Sequence, residues 1–318
     1  LPEGGRRLLS GNKKGVYAGL ALHEDSLRYI ELERDGQGFK VRRQEVFPLP
    51  AGCISRESIQ QFNLLEKAFD DFKGQVGKFS CPVALGIPGR DVILRLIDYP
   101  KMPVADIRDA LSLEFEGYFP YAWNEAAADI VEVDVPAGVE QKTTVLVATA
   151  RRTYVSDLLR LTERADIPVG AVEPMNVAFF RASVGRTARN DAYFVLGIEP
   201  EVTNIILGYR DNGILYRSTL ADLRNPMSRS ADEALMPIAQ DVQNTILFAR
   251  NQYRDLAIRH LILGGSLGEN PRLKALLESG ASLNVVVSDV WSAWQIRSDL
   301  GSVPGFDVAI GLALRDAI

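Results

Sequence analysis

Apolar and polar residues alternate from Gly15 to Glu33 on both sides of the polar step His23-Glu24-Asp25-Ser26. A period of two predicts a hairpin of strands over Val16–Leu22 and Ser26–Glu33, since alternate side chains of a strand face opposite sides. Asp35-Gly36-Gln37-Gly38 predicts a second turn, and Phe39–Phe47 a third strand. The period then changes. Ile59, Phe62, Leu65, Phe69 and Phe72 recur at three- and four-residue spacing, which predicts an amphipathic helix over Ser58–Phe72. Further strands are expected at Pro82–Ile87, Asp91–Asp98, Asp129–Val135, Thr143–Thr149 and Val169–Val172, with helices at Pro103–Tyr118, Tyr154–Ala165 and Met175–Ser183.

A second meander begins at Ala192–Ile198 and continues through Asn204–Tyr209 and Ile214–Leu220. Asp211-Asn212-Gly213 is the expected turn, because an Asn-Gly pair readily takes positive φ. Asp232–Tyr253 predicts the longest helix, with Pro237 in its first turns. His260–Leu263 predicts a strand ending at Gly264-Gly265, followed by a helix over Pro271–Glu278, a strand over Leu283–Val287 and a last helix over Phe306–Ala317. Two halves, each a meander followed by helices, predict a duplicated α/β architecture. The stretch 1–14, rich in Gly, Arg and Lys without an apolar period, is expected to be a loose tail.

Composition narrows the classes. A chain of 318 residues has room for about two domains. With 47% apolar and 24% charged residues it can bury a sizeable core. A formal net charge of −5 speaks against a nucleic-acid-binding face and against adsorption to anionic lipid. No apolar run reaches the ~18 residues of a membrane span. Cys53 and Cys81 are the only cysteines, too few for a disulfide framework or a zinc cluster, and a reducing cytosol is the expected compartment.

Candidate chemistry is sparse. Gly264-Gly265-Ser266-Leu267-Gly268 matches G-x-S-x-G between a strand and a helix. A hydrolase of that type needs a histidine after the serine, and the only histidines, His23 and His260, both precede it. The turn reads instead as a glycine-rich approach to a strand end, open to close contact because glycine lacks a side chain. Neither histidine has a second ligand at metal-binding spacing. Glu114 and Glu116 lie two apart and share no helix face, and Asp232 with Glu233 reads as a solvated face. Tyr118, Phe119, Tyr121 and Trp123 form an aromatic cluster that reads as core or as a docking patch.

Several segments, in order, resemble one family. Tyr99-Pro100-Lys101-Met102-Pro103, Ile107–Leu113 and Glu114-Phe115-Glu116-Gly117-Tyr118-Phe119-Pro120-Tyr121 are followed by Asp129–Val133, Thr144–Ala150, Val172–Ala182, Leu261–Leu267 and Val308–Arg315. Together they resemble PilM, the actin-like protein of the type IV pilus inner-membrane platform. The resemblance implies an α/β, actin-like (RNase H-like) two-lobe fold. It places lobe 1 at 15–187 with an inserted subdomain at about 82–172, and lobe 2 at 188–303. A C-terminal helix, 304–318, then returns to lobe 1. A reduced or absent small subdomain in lobe 2 is expected, because Ala221–Ser230 leads almost directly from strand to helix.

The phosphate loops depart from the family pattern. In the first, the family's aspartate falls on Ala21 and its glycine on His23, and Glu24 and Asp25 add negative charge. In the second, the aspartate falls on Gly197 and the glycine on Glu199, Pro200 removes an N–H donor, and Thr203 survives. Gly264 and Gly265 are what remains of the nucleotide turn. Such loops hold phosphate through free N–H groups and cations, and carboxylates within ~4 Å would oppose it by a few kcal/mol. The expectation is a non-catalytic scaffold, a pseudo-ATPase that binds neither ATP nor Mg²⁺ and holds no metal. What the resemblance implies as partner is the cytoplasmic tail of a PilN-like membrane protein, with other platform or motor proteins, at the cytoplasmic face of the inner membrane. The expected groove comprises Val92, Leu94 and Leu96, with Tyr118, Pro120 and Tyr121 as wall or core. The alternatives are a GspL-like cytoplasmic domain of type II secretion and an active actin-like ATPase.

Overall fold

The computed structural model describes residues 15–54, 61–136, 142–185, 191–220, 223, 231–253, 256–281 and 283–318. The expected tail at 1–14, residues 58–60 of the first expected helix, and all of 221–230 except Leu223 lie outside them. The first half of the chain runs β1 (Val16–Leu22), β2 (Ser26–Asp35), β3 (Gly38–Pro48), α1 (Phe62–Val76), β4 (Val83–Ile87), β5 (Ile93–Pro100), α2 (Val104–Glu114), β6 (Ala126–Glu132), β7 (Lys142–Arg151), α3 (Arg152–Arg164), β8 (Val169–Pro174) and α4 (Met175–Val184). The second half runs β9 (Ala192–Ile198), β10 (Val202–Tyr209), β11 (Asn212–Leu220), α5 (Ala231–Gln252), β12 (Ile258–Gly264), α6 (Pro271–Ala281), β13 (Asn284–Val287), α7 (Val290–Ala293), β14 (Ile296–Arg297) and α8 (Asp307–Leu314).

The duplication is visible in the sheets. One has the order β14-β3-β2-β1-β4-β8 and the other β11-β10-β9-β12-β13. In each, an antiparallel meander is joined on its first strand to two parallel strands, β1 to β4 to β8 and β9 to β12 to β13. A third sheet, β5-β7-β6, stands apart with α2 on one face. The outer face of the first sheet packs on α1 and α3 through Leu20, Tyr29, Phe69, Phe72 and Leu158. The outer face of the second packs on α5 and α6 through Phe194, Leu196, Val242 and Leu273. Between the two sheets lies a common core built on α4 and α8, with Ile30, Phe179, Val195, Ile262 and Ile310. Strands with both faces buried explain why Ala192–Ile198 reads as an unbroken apolar run.

Glycines allow the central helices to approach backbone. A Cβ on Gly19 of β1 would lie 2.1 Å from the Ala309 carbonyl oxygen of α8. A Cβ on Gly311 of α8 would lie 1.9 Å from the Ala178 carbonyl oxygen of α4. α8 therefore returns to lobe 1 because its backbone, not a large side chain, touches β1 and α4.

Several boundaries differ from the sequence reading. β4 and β8 belong to the first lobe's own sheet, so the separate layer is β5 to β7 rather than 82–172. The chain rejoins lobe 1 before 304, because β14 pairs with β3. β14 and α7 are too short for any period to announce them. α2 stops at Glu114, and a 3₁₀ turn over Phe115–Gly117 follows. The β10–β11 turn uses Arg210, at φ 51°, and Asp211 rather than Asn-Gly. Tertiary bonds select it: the Tyr193 hydroxyl donates to the Arg210 carbonyl at 2.7 Å, and the Asn212 amide is engaged by Asp134.

Two glycines of opposite role test the central packing. Gly311→Ala should destabilise the chain by roughly 3 kcal/mol in chemical unfolding, since the new methyl must displace backbone. Gly74→Ala, inside α1 with open space at its Cβ, should stabilise it by about 1 kcal/mol.

Candidate functional site

The cleft between the lobes is built by the β1–β2 turn, the β9–β10 turn and the turn after β12. In the first, the His23 N–H donates to the Ser26 carbonyl at 3.0 Å, so the amide that could face an anion is spent on closing the hairpin. His23 is buried with its Nε2 unpartnered, and burial, aided by Arg28, pushes its pKa down to about 3, so the ring is neutral. Ala21 is fully buried in the central core, directly across the β1–β2 pair from Arg28, and offers no carboxylate there. Glu24 is ion-paired with Arg90 at 2.7 Å, and Asp25 accepts from the Ser26 hydroxyl at 2.7 Å.

The second loop is closed in the same way. The Glu199 N–H donates to the Val202 carbonyl at 2.9 Å. Gly197 has no room for a side chain: its Cβ would fall 2.7 Å from the ring of Phe179. The same ring lies 3.2 Å from a Cβ on Gly264. Phe179, on α4, fills the space that a metal-organising carboxylate at position 197 would need. Thr203 is buried on β10 and its hydroxyl has no partner.

The glycine turn after β12 holds the decisive contacts. Gly265 adopts φ 84°, which turns successive N–H groups to one side. These donors are already taken by carboxylates of the chain. The Ser266 N–H donates to Glu199 Oε1 at 3.2 Å, and the Ser266 hydroxyl donates to Glu199 Oε2 at 2.6 Å. The Gly265 N–H donates to Asp307 Oδ2 at 3.0 Å. From lobe 1, Arg28 reaches Glu199 at 3.9 Å and donates to the Gly305 carbonyl at 2.6 Å. Burial pushes the Glu199 pKa up to about 7, against the pull of Arg28 and the Ser266 hydrogen bonds. Burial raises Asp307 as well. Two spaces remain: one of about 50 Å³ lined by Glu24, Arg90, Met175, Phe179 and Glu201, room for a few waters, and one of about 330 Å³ beside the glycine turn, lined by Gly265, Ser266, Glu269, Asp289 and Asp307. Arg28, Phe179 and Asp307 were not singled out as cleft residues by motif spacing, and Ser266 was met only as the centre of G-x-S-x-G. Only the residue types at 197 and 199 hinted that something else must fill the site.

A second concavity is open. Strand pairing aligns Leu94, Ala148 and Asp129 in one row and Leu96, Leu146 and Val131 in the next. These residues share the face of the third sheet opposite α2, because α2 covers Ile97, Tyr99, Ile130, Val145 and Val147. The uncovered face looks onto Val172 and Pro174 of β8, Val177 of α4 and Arg315, across a groove of about 350 Å³. The groove runs on past Val131 and Leu146 toward Arg34, Arg181 and Tyr216, adding about 720 Å³. Among the described residues β6 and β5 are the edge strands of this sheet, and β5 lies against β11 of the second lobe. Among the expected groove residues, Val92 and Leu94 line it, whereas Leu96 packs on the second lobe's core. Tyr121 is buried among the aromatics under α2, Tyr118 is half-buried there, and Pro120 is exposed.

A sequence model of the family described as "Type IV pilus assembly protein PilM" matches residues 19–192, more than half of the chain. The chain belongs to this family. Among solved structures, it is similar to a "PilM-PilN type IV pilus biogenesis complex", at 21% identity and a TM-score of 0.77, over 95% of this chain and 98% of that one. It is similar at TM-score 0.52 and 10% identity to the cytoplasmic domain of EpsL from Vibrio cholerae, an inner-membrane component of the type II secretion system, over 95% of this chain and 94% of that one. A Bacteroides thetaiotaomicron protein with an actin-like ATPase fold matches at TM-score 0.53 and 11% identity, over 88% of this chain and 95% of that one. At these identities the likenesses establish the actin-like fold. No helix among the described residues is long and apolar enough to cross a membrane.

The Glu199 site predicts a pH dependence. Its pKa rises from 4.5 in the unfolded chain to about 7 in the folded one, so its contribution is fully present below about 4.5 and is lost as pH rises through about 7. Between pH 4.5 and 8 the parent should lose roughly 3 kcal/mol of unfolding free energy relative to Glu199→Gln. Urea titrations at both ends of that range check it, and parallel pH profiles would show Glu199 to be ordinarily solvated.

Proposed function

We propose that this chain is a non-enzymatic member of the PilM family: a scaffold at the cytoplasmic face of the inner membrane that assists type IV pilus assembly. It binds the N-terminal cytoplasmic tail of a PilN-like membrane protein. The observation that carries the reading is the contrast between the two concavities. In the cleft, Glu199 and Asp307 consume the donors a phosphate would need, and Phe179 fills the place of a metal-organising carboxylate. The space of about 330 Å³ beside the glycine turn is lined by Glu269, Asp289 and Asp307, and among the described residues no cation lines it to offset them. Beside the third sheet, an apolar face lies open along an edge strand. An extended peptide can continue β6 through main-chain hydrogen bonds while its alternate side chains enter the groove. The likeness to a PilM–PilN complex supports the kind of partner.

Neither ATP nor Mg²⁺ is part of this function. An incoming phosphate would have to displace Glu199 from Ser266 and then face Glu24 and Glu201 across the cleft. An active ATPase also needs a carboxylate to place the metal, and Ala21 and Gly197 supply none.

Two measurements test this. Millimolar MgATP should leave the thermal midpoint unmoved, whereas a ligand at 100 times its Kd adds about 2.7 kcal/mol and raises it visibly. In calorimetric titration with a synthetic PilN-like tail, Ala148→Arg on the groove face should weaken binding at least ~10-fold, about 1.4 kcal/mol. Leu113→Ser, 91% exposed on α2 and away from the groove, should not alter it. Full-strength binding by the Ala148→Arg chain would refute the groove.

A further inference from the structure

We infer that Glu199 is the cleft's resident anion: its carboxylate stands where an oxyanion ligand would stand and latches the two lobes together without one. This rests on the reading of the cleft as free of nucleotide, and adds how the closed arrangement is then kept. The geometry is that of an anion site with its anion built in. Two donors of one turn bind the carboxylate, a backbone N–H beside a residue at positive φ and a hydroxyl, and a guanidinium from the opposite lobe faces it as an ion pair at 3.9 Å. Glycine turns and arginines of this arrangement suit carboxylate, phosphate and sulfate alike. Glu199 sits on the β9–β10 turn of lobe 2 and Arg28 on β2 of lobe 1, so the pair spans the cleft. The Asp307 bond to Gly265 spans it a second time, from the start of α8. Arg28 is itself fixed by the Gly305 carbonyl, on the segment leading into α8.

The latch is not a stabilising device in the ordinary sense. A carboxylate buried this deeply costs free energy when charged, and buried ion pairs commonly fail to recover that cost. What such a pair supplies is a defined arrangement. Glu199 has full hydrogen-bonding satisfaction only when the Ser266 turn lies against it, and Arg28 is drawn to it only when the lobes are closed. Stability and closure are therefore separable, which distinguishes a latch from a merely structural contact.

The test measures lobe separation and stability on the same chains. Spin labels are attached at Lys67→Cys on α1 and Ser279→Cys on α6, exposed sites on the outer sides of the two lobes; Cys53 and Cys81 are buried and stay unlabelled. Electron–electron resonance at pH 8 should give one narrow distance distribution for the parent. Glu199→Gln should broaden it toward longer distances while remaining at least as stable as the parent in urea. Glu199→Gly, which vacates the donors, should be broad in chloride buffer and narrow again in inorganic phosphate at matched ionic strength. A narrow distribution in Glu199→Gln overturns the latch. Broadening that phosphate does not reverse overturns the claim that Glu199 replaces an oxyanion. Narrowing of the parent by MgATP would instead refute the nucleotide-free reading, so the two failures are distinguishable.

Discussion

The contact of α8 with β1 and α4 is the constraint on which the rest depends. Two sheets of the same strand order must share one apolar layer, and the helices between them must be thin where they cross. Gly19 and Gly311 provide this by letting backbone meet backbone, with no side chain between. The terminal helix is then buried on all sides, from Val308 to Leu314, and the second lobe is held against the first. Because α4 and α8 run through this layer, their side chains and ends also form the cleft: Phe179 comes from α4, and Asp307 begins α8.

Packing and chemistry meet at that point. A phosphate loop needs glycine where N–H groups must be bare and aspartate where a metal must be placed. Here the positions have been exchanged. Gly197 is small because a phenylalanine ring lies against it, and Glu199 is a carboxylate because the neighbouring turn still presents donors. Buried donors left without partners cost more than the net gain of an average hydrogen bond, and the donors of the Gly265-Ser266 turn are satisfied from within the chain. At the other wall the rule holds only in part: Arg90 Nη1 donates to Glu24, while Arg90 Nε, His23 Nε2 and Thr203 Oγ1 have no hydrogen-bond partner.

The third sheet has the opposite economy of surface. Its α2 face is packed with aromatic and branched side chains, while its other face keeps Leu94, Ala148 and Val131 beside an open groove. The sheet reaches both lobes: β5 touches the second lobe's core through Leu96, and Asp134, just after β6, is clasped by Asn212. The groove is thus framed by elements that the central helices and the interlobe contacts hold in place.

Much of the fold was legible in the chain itself. Periods of two and of 3.6 marked the meanders and the amphipathic helices, because periodicity depends only on neighbours in sequence. The residue types at 21, 23, 197 and 199 already lacked what a metal-phosphate site demands. Ends and short elements were less legible. The Asn-Gly pair lost the turn to Arg210 because Tyr193 and Asp134, distant in sequence, bonded to Arg210 and to Asn212 itself. No period could announce that Glu199 meets Ser266 across 67 residues, or that Phe179 fills the cleft beside Gly197. The sequence alone determined the longer elements and which residue types stand at 21, 23, 197 and 199, since both are set by local pattern and residue type. Only the tertiary structure decided what occupies the cleft and which sheet face stays open, since burial and pairing are properties of residues that the chain brings together from far apart.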